Sequence, residues 1–276
     1  MATQTLPDDF LSSSSANMTA AKIDFTQANL PEYAGRYACI IENALTADEC
    51  QQLLHAAEAT TDGVWERAMV NTGGGEQKLM LLARNCGRII WDSRDIAGRV
   101  WQRIAHLPEV QEILRLEKRA TVTGIGPPKR GEVWKLTRPN ERMRFLKYGR
   151  GEYFRPHCDG MYITPDGKER CFFTLHLYLS DSGKPNEEAL EGLSAEGSKA
   201  AVRGATIGGA TTFHGMDMER QLDVDSKTGR VLLFQQRDLL HSGDDVLQGL
   251  KYTMRTDLMY ELESEATEAV PTSYRR

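Results

Sequence analysis

From about residue 140 the chain breaks into short runs in which apolar and polar side chains alternate. RMRFLKY, CFFTLHLYLS, ATTFHG, RVLLFQQ and KYTMRTDLMY are rich in β-branched and aromatic residues and are punctuated by Gly, Asp or Pro. A period of two sends successive side chains to opposite faces, so these runs predict an all-β barrel or jelly roll. The first half has a different texture. Thr46 followed by Glu49 is a capping box, and Cys50, Leu53, Leu54 and Ala57 repeat behind it at helical spacing. Asp95 to Ile104 reads as an amphipathic helix stopped near Pro108, and Val110 to Leu116 as a further helix. Tyr37 to Ile41 and GRIIWDS read as strands, and NTGGGEQ as a flexible loop. The expected fold is α+β with a mainly β core. One domain spans 23–276, with helical support over about 23–139 and the jelly-roll core over about 140–262.

Two stretches stand outside this pattern. Residues 1–22, with the run Ser12 to Ser15, carry little apolar surface and read as a disordered tail. Gly183 to Gly204 is a polar, Gly- and Glu-rich insertion between two expected barrel strands, and reads as a mobile loop able to act as a lid.

Composition narrows the function classes. The 276 residues carry a net charge of -5, which argues against a nucleic-acid partner, because phosphate-backbone binding is dominated by Lys and Arg. Five scattered cysteines with no C-x-x-C pair read as reduced thiols rather than a disulfide frame or a zinc site. No basic n-region with an apolar run opens the chain, and no apolar stretch approaches the roughly 18 residues of a membrane span. The expected setting is the cytoplasm, with the nucleus left open, and no membrane contact.

His157-Cys158-Asp159 is an H-x-D triplet, which means little alone in a chain with six histidines and 39 acidic residues. Its surroundings change its weight. In a strand His157 and Asp159 point to one side and can face one metal, with Cys158 turned away. Two imidazoles and one carboxylate form the facial triad of non-haem iron(II), which leaves coordination positions open. His241, after the RVLLFQQ run, fits as the third ligand. Ten residues later Lys251 opens the next strand, and alternation gives Lys251, Thr253, Arg255 and Asp257 one shared polar face, assigned to the barrel interior. His214, His55 and His106 read as structural.

Five ordered blocks carry a resemblance. They are Tyr148-Gly-Arg-Gly-Glu-Tyr-Phe-Arg-Pro-His157-Cys-Asp159; Leu177-Tyr178-Leu179; Gly208-Gly209-Ala210-Thr211-Thr212-Phe213; Gly229 through Phe234 to His241-Ser-Gly243; and Gly249-Leu250-Lys251-Tyr252. Together, over about residues 140–260, they resemble the prolyl 4-hydroxylase-like branch of the Fe(II)/2-oxoglutarate-dependent oxygenases. The resemblance implies a double-stranded β-helix, iron held by His157, Asp159 and His241, and Lys251 paired with the remote carboxylate of 2-oxoglutarate. It implies Tyr148 and Tyr178 as further 2-oxoglutarate contacts, with Thr174 on the face of Tyr178 and Arg255 as the alternative cation. O2 is the second cosubstrate, and ascorbate fits as an accessory reductant. An acid at Asp159 disfavours halogenation, which needs Gly or Ala there.

For the substrate, Arg142 and Arg144 share the strand phase of Tyr148 and are expected in the pocket, with Asp257 as an internal partner and His176 as a possible contact. That expects an anionic or strongly hydrogen-bonding group on a small molecule that is hydroxylated at an unactivated C–H. The alternatives are a protein prolyl hydroxylase and, from another class, a catalytically inactive jelly-roll binding module. Sequence leaves the oligomeric state open.

Overall fold

The computed structural model describes residues 6–12, 17–73, 76–183 and 206–263. Alternation sets the two faces of each barrel strand. In Glu169–Tyr178, Phe173, Leu175 and Leu177 join the core beneath the helices, while Thr174, His176 and Tyr178 take the opposite side. Eight strands divide between two antiparallel sheets. The larger sheet holds Val231–Gln235, Glu169–Tyr178, Lys251–Leu262 and Arg142–Tyr148 in that spatial order. The smaller holds Gln221–Val224, Thr211–His214, His241–Gly243 and Tyr153–His157. The chain crosses repeatedly between the sheets, which is the winding of a double-stranded β-helix.

The larger sheet is extended on both sides. Ala38–Glu42 and then Thr19–Lys22 continue it beyond Val231–Gln235, and Gly87–Asp92 with Glu66–Arg67 continue it beyond Arg142–Tyr148. Arg84–Asn85 adds a short fifth strand to the smaller sheet, beside Tyr153–His157.

Two helices cover the outer face of the larger sheet. Ala47–Ala59 starts at Thr46, whose hydroxyl accepts from Glu49 N while the Glu49 carboxylate accepts from Thr46 N at 2.8 Å. Arg94–Ala105 starts at Ser93 and buries Ile96, Ala97, Val100, Trp101 and Ile104. Their stripes meet Ile89, Phe145, Leu175, Leu233 and Met254 in one core. Each such large side chain contributes about 1.5–3 kcal/mol on burial, so the sheet is held rigid from behind. A second cluster around Phe25, Tyr33, Phe213, Leu232 and Phe234 fills part of the space between the sheets.

Three expectations need correction. The first 22 residues are not all tail: Phe10 and Leu11 are buried in the helix–sheet core, and Thr19–Lys22 pairs with Ala38–Glu42. An edge strand is held by backbone hydrogen bonds, so its polar composition gives no sign of order. Residues 1–5 and 13–16 lie outside the described residues. The helix expected over Val110 to Leu116 is a single turn, Pro108–Gln111, followed by the strand Arg115–Glu117, whose Leu116 is buried opposite Trp134. The expected loop at 71–77 contributes to a hairpin, Val70–Gly73 with Glu76–Lys78. The insertion expected as a lid lies, beyond Gly183, outside the described residues. Among the described residues no helix is long and apolar enough to cross a membrane.

Candidate active site

His157 ends one strand of the smaller sheet, His241 opens its neighbour, and the two residues are directly paired. Residues opposite each other share a face, so both imidazoles enter one cleft. His157 Nε2 and His241 Nε2 lie 3.5 and 3.8 Å from Asp159 Oδ1. One donor atom from each of the three falls within 4.8 Å of the others. The Nδ1 atoms face the carbonyls of Arg155 at 2.8 Å and Leu239 at 3.0 Å. A carbonyl only accepts, so each Nδ1 carries the proton and each Nε2 lone pair is left for the third partner. Burial pushes His241 down to about 4, which keeps it in the neutral, metal-binding form.

Asp159 has both oxygens engaged. Oδ1 meets Arg255 Nη1 at 2.8 Å, and Oδ2 accepts from the Thr174 hydroxyl at 2.6 Å. Burial raises its pKa, but the Arg255 guanidinium outweighs that and holds it well below the usual carboxylate range. Thr174 and Arg255, expected beside the cosubstrate, are thus brought onto the carboxylate. Behind them Asp257 is a buried hub, accepting from Arg144 at 3.1 Å, Gln236 at 3.1 Å and Arg255 at 3.4 Å.

The triad faces a cleft whose other walls include Tyr148, Phe154, His176, Thr211, Phe234, Lys251 and Arg255. Lys251 is 2% exposed, and its amine points between the rings of Tyr148 and Tyr178, 5.3 and 5.8 Å from their centroids. Burial pushes that amine down to about 8. It has no ion-pair partner among the described residues. Gly209 makes room for it: φ is +73°, and a Cβ there would sit 3.2 Å from Lys251 Cδ and 2.9 Å from Val246 Cγ2. Nearby, His176 Nε2, Tyr178 Oη, Thr211 Oγ1 and Thr253 Oγ1 are buried without a hydrogen-bond partner. Buried orphan groups are costly, so a lone cation ringed by them fits a carboxylate ligand. The three facing donors likewise fit one divalent metal.

The remaining expected residues separate by depth. Arg144 lies on the inner face, paired with Asp257. Arg142 has the same phase, yet it sits half-exposed at the strand's far end, paired across the register with Asp92 at 2.9 Å. It does not line the cleft, which corrects the expectation. His176 is half-buried in the cleft wall, and burial followed by the charges of Lys251 and Arg255 keeps it neutral. Cys158 is exposed. His214 is buried, with Nε2 2.7 Å from Ser242 Oγ, while His55 and His106 are exposed. Sequence reasoning missed Arg84, which lines the cleft, and Gln236. Arg84, Cys86 and Arg88 do alternate into the GRIIWDS run, but nothing local says which side of that run meets the site.

A double-stranded β-helix with paired His-x-Asp and distal His donors at its cleft defines the class of mononuclear non-haem metal oxygenases. Residues 143–256 match the 2OG-Fe(II) oxygenase superfamily. The protein is a 2-oxoglutarate- and Fe(II)-dependent dioxygenase, using iron(II), 2-oxoglutarate and O2. Among solved structures it is similar to the viral collagen prolyl hydroxylase of Paramecium Bursaria Chlorella virus-1 in its 2OG complex, at 19% identity over 82% of this chain and 97% of that one, TM-score 0.44. It is similar to a Pseudomonas putida prolyl-4-hydroxylase at 15% identity over 85% and 98%, TM-score 0.49. The non-heme alpha ketoglutarate dependent epimerase SnoN of nogalamycin biosynthesis is similar at 13% identity over 90% and 88%, TM-score 0.40. No curated protein matches the sequence.

Proposed function

We propose that this enzyme hydroxylates an unactivated C–H bond of a small molecule while 2-oxoglutarate is converted to succinate and CO2. The observation that carries the reading is the convergence of His157 Nε2, His241 Nε2 and Asp159 Oδ1 on one point of the cleft. In this reading these three side chains hold iron(II). Lys251 receives the remote carboxylate of 2-oxoglutarate, and Tyr178, Thr211 and Thr253 offer it their unpaired hydroxyls. Bound iron supplies the activation of O2 that is coupled to cosubstrate decarboxylation.

The chain's own residues do the rest. Arg255 and Thr174 orient Asp159 from behind and keep it anionic. The carbonyls of Arg155 and Leu239 fix the imidazole tautomers before any metal arrives. Phe154 stacks on the His157 ring at 3.6 Å and, with Phe234, shields the ligands from bulk water. Neutral His176 presents its unpaired Nε2 to the cleft without competing with Lys251 for the carboxylate.

The test is succinate formation by the purified protein with iron(II) and 2-oxoglutarate, against a small-molecule panel and proline-containing peptides. Expected is substrate-stimulated succinate with a product that gains one oxygen atom. Stimulation by peptides alone would replace the small-molecule reading with a prolyl hydroxylase. No succinate under any condition would leave a binding module.

A further inference from the structure

Arg84 and Arg88 stand out because they are buried and make no ion pair among the described residues. Their relative exposures are 7% and 5%. Arg84 forms part of the cleft wall together with His157, Asp159 and His241. Its only described contacts are a hydrogen bond from Nε to Cys86 Sγ at 3.4 Å and the face of Phe154, 4.5 Å from the guanidinium carbon. Arg88 is directly opposite Leu146, another cleft residue, so its side chain shares the inner face of the sheet. It donates to Gln77 Oε1 at 3.3 Å, and its Nε has no partner. Glu66 faces Arg88 across the neighbouring strand pair and its charge acts on the guanidinium, but the two make no ion pair.

Among the described residues the inner face and its backing carry five cations, Arg84, Arg88, Arg144, Lys251 and Arg255, against three carboxylates, Asp159, Asp244 and Asp257. The acids are already engaged: Asp159 by Arg255 and Thr174, Asp257 by Arg144, Arg255 and Gln236, and Asp244 by Thr212 and Ser242. Adding iron(II) and the 2-oxoglutarate dianion leaves the excess unchanged, because their charges cancel. The surplus of two falls on Arg84 and Arg88. Burial followed by the like charges of Arg84 and Arg144 depresses Arg88, so the cluster is held together against repulsion. Uncompensated buried charges are expensive unless a ligand supplies the counter-charge.

We propose that Arg84 and Arg88 form a second anion subsite in the cleft, which receives an oxyanion of the primary substrate, a carboxylate or a phosphate. This rests on the oxygenase reading and deepens it by naming the substrate class. Phe154 contacts both the Arg84 guanidinium and the His157 imidazole, so an oxyanion seated on Arg84 holds the adjoining carbons in the same cleft as the metal site. The guanidinium fork suits planar or tetrahedral oxyanions better than an ammonium does. It also leaves Lys251 free for the cosubstrate.

The experiment has two parts. Wild-type protein with iron(II) and 2-oxoglutarate is first assayed for succinate in air, which tests the oxygenase reading alone. The same complex, without O2 and at saturating 2-oxoglutarate, is then titrated with acetate and with inorganic phosphate by calorimetry. Expected is saturable one-to-one binding of at least one anion, and the tighter one identifies the oxyanion. Arg84→Met and Arg88→Met should weaken it about tenfold or more, while Arg84→Lys and Arg88→Lys retain part of it. Absence of saturable binding to the wild-type complex overturns the subsite, whatever the variants do. So does competition between the titrated anion and 2-oxoglutarate, which would assign the arginines to the cosubstrate. Succinate formation with no anion binding would sink this inference and leave the oxygenase reading intact.

Discussion

His157 and His241 are direct partners across one antiparallel strand pair, with ring centroids 4.4 Å apart. The 83 residues between them in the chain are therefore irrelevant to their spacing, which is set by sheet geometry. Removing either one leaves two donors, too few to hold the metal firmly. His241→Ala is expected to drop succinate formation to the no-enzyme level while circular dichroism stays that of the wild type. Wild-type turnover in this variant would dismiss the proposed ligand set.

Arg255 should act through Asp159 rather than on the cosubstrate. Its Nη1 is 2.8 Å from Asp159 Oδ1, and removing a partner that orients a metal ligand costs about 10–100-fold in metal affinity. Arg255→Met is expected to raise the iron(II) concentration for half-maximal activity by that factor. Its KM for 2-oxoglutarate, measured at saturating iron, should change little. A large KM effect with normal iron dependence would move Arg255 into the cosubstrate site.

Lys251 gives the site a pH signature. Burial lowers its amine to about 8, so in the free enzyme the cation is present below that pH and is lost above it. Both carboxylates of 2-oxoglutarate stay ionised throughout, so kcat/KM for 2-oxoglutarate should fall as pH rises through about 8. Lys251→Ala should raise KM for 2-oxoglutarate roughly 10- to 150-fold, the value of a charge-assisted hydrogen bond, and abolish that alkaline limb. Persistence of the limb in the variant would assign it to another group.

Gly209 tests the packing around that lysine. Its φ of +73° and the 2.9 Å approach to Val246 Cγ2 both resist a side chain. Gly209→Ala is expected to lower stability by about 1–3 kcal/mol, read as a lower denaturant midpoint, and to weaken 2-oxoglutarate binding through displacement of Lys251. Unchanged binding with lowered stability would separate the glycine's backbone role from the site.

Local pattern was enough for much of this protein. Period-two alternation marked the barrel strands and the shared face of Lys251, Thr253, Arg255 and Asp257. The capping box at Thr46 and the stripe from Ile96 to Ile104 marked the two helices. Spacing suggested that His157 and Asp159 face one metal, although the strand ends at His157 and Asp159 stands in the chain just beyond it. What alternation cannot encode is depth along a strand or the identity of its neighbour. Arg142 and Arg144 have the same phase, yet one reaches Asp92 at the rim and the other Asp257 inside. Arg84 enters the cleft wall because its strand pairs with Tyr153–His157. Thr174 meets Asp159 through tertiary contact, and Thr19–Lys22 is ordered only by its partner strand. Sequence determined which side each side chain takes; the long-range strand pairing decided which side chains share a cavity, because those contacts join segments whose local signals are independent.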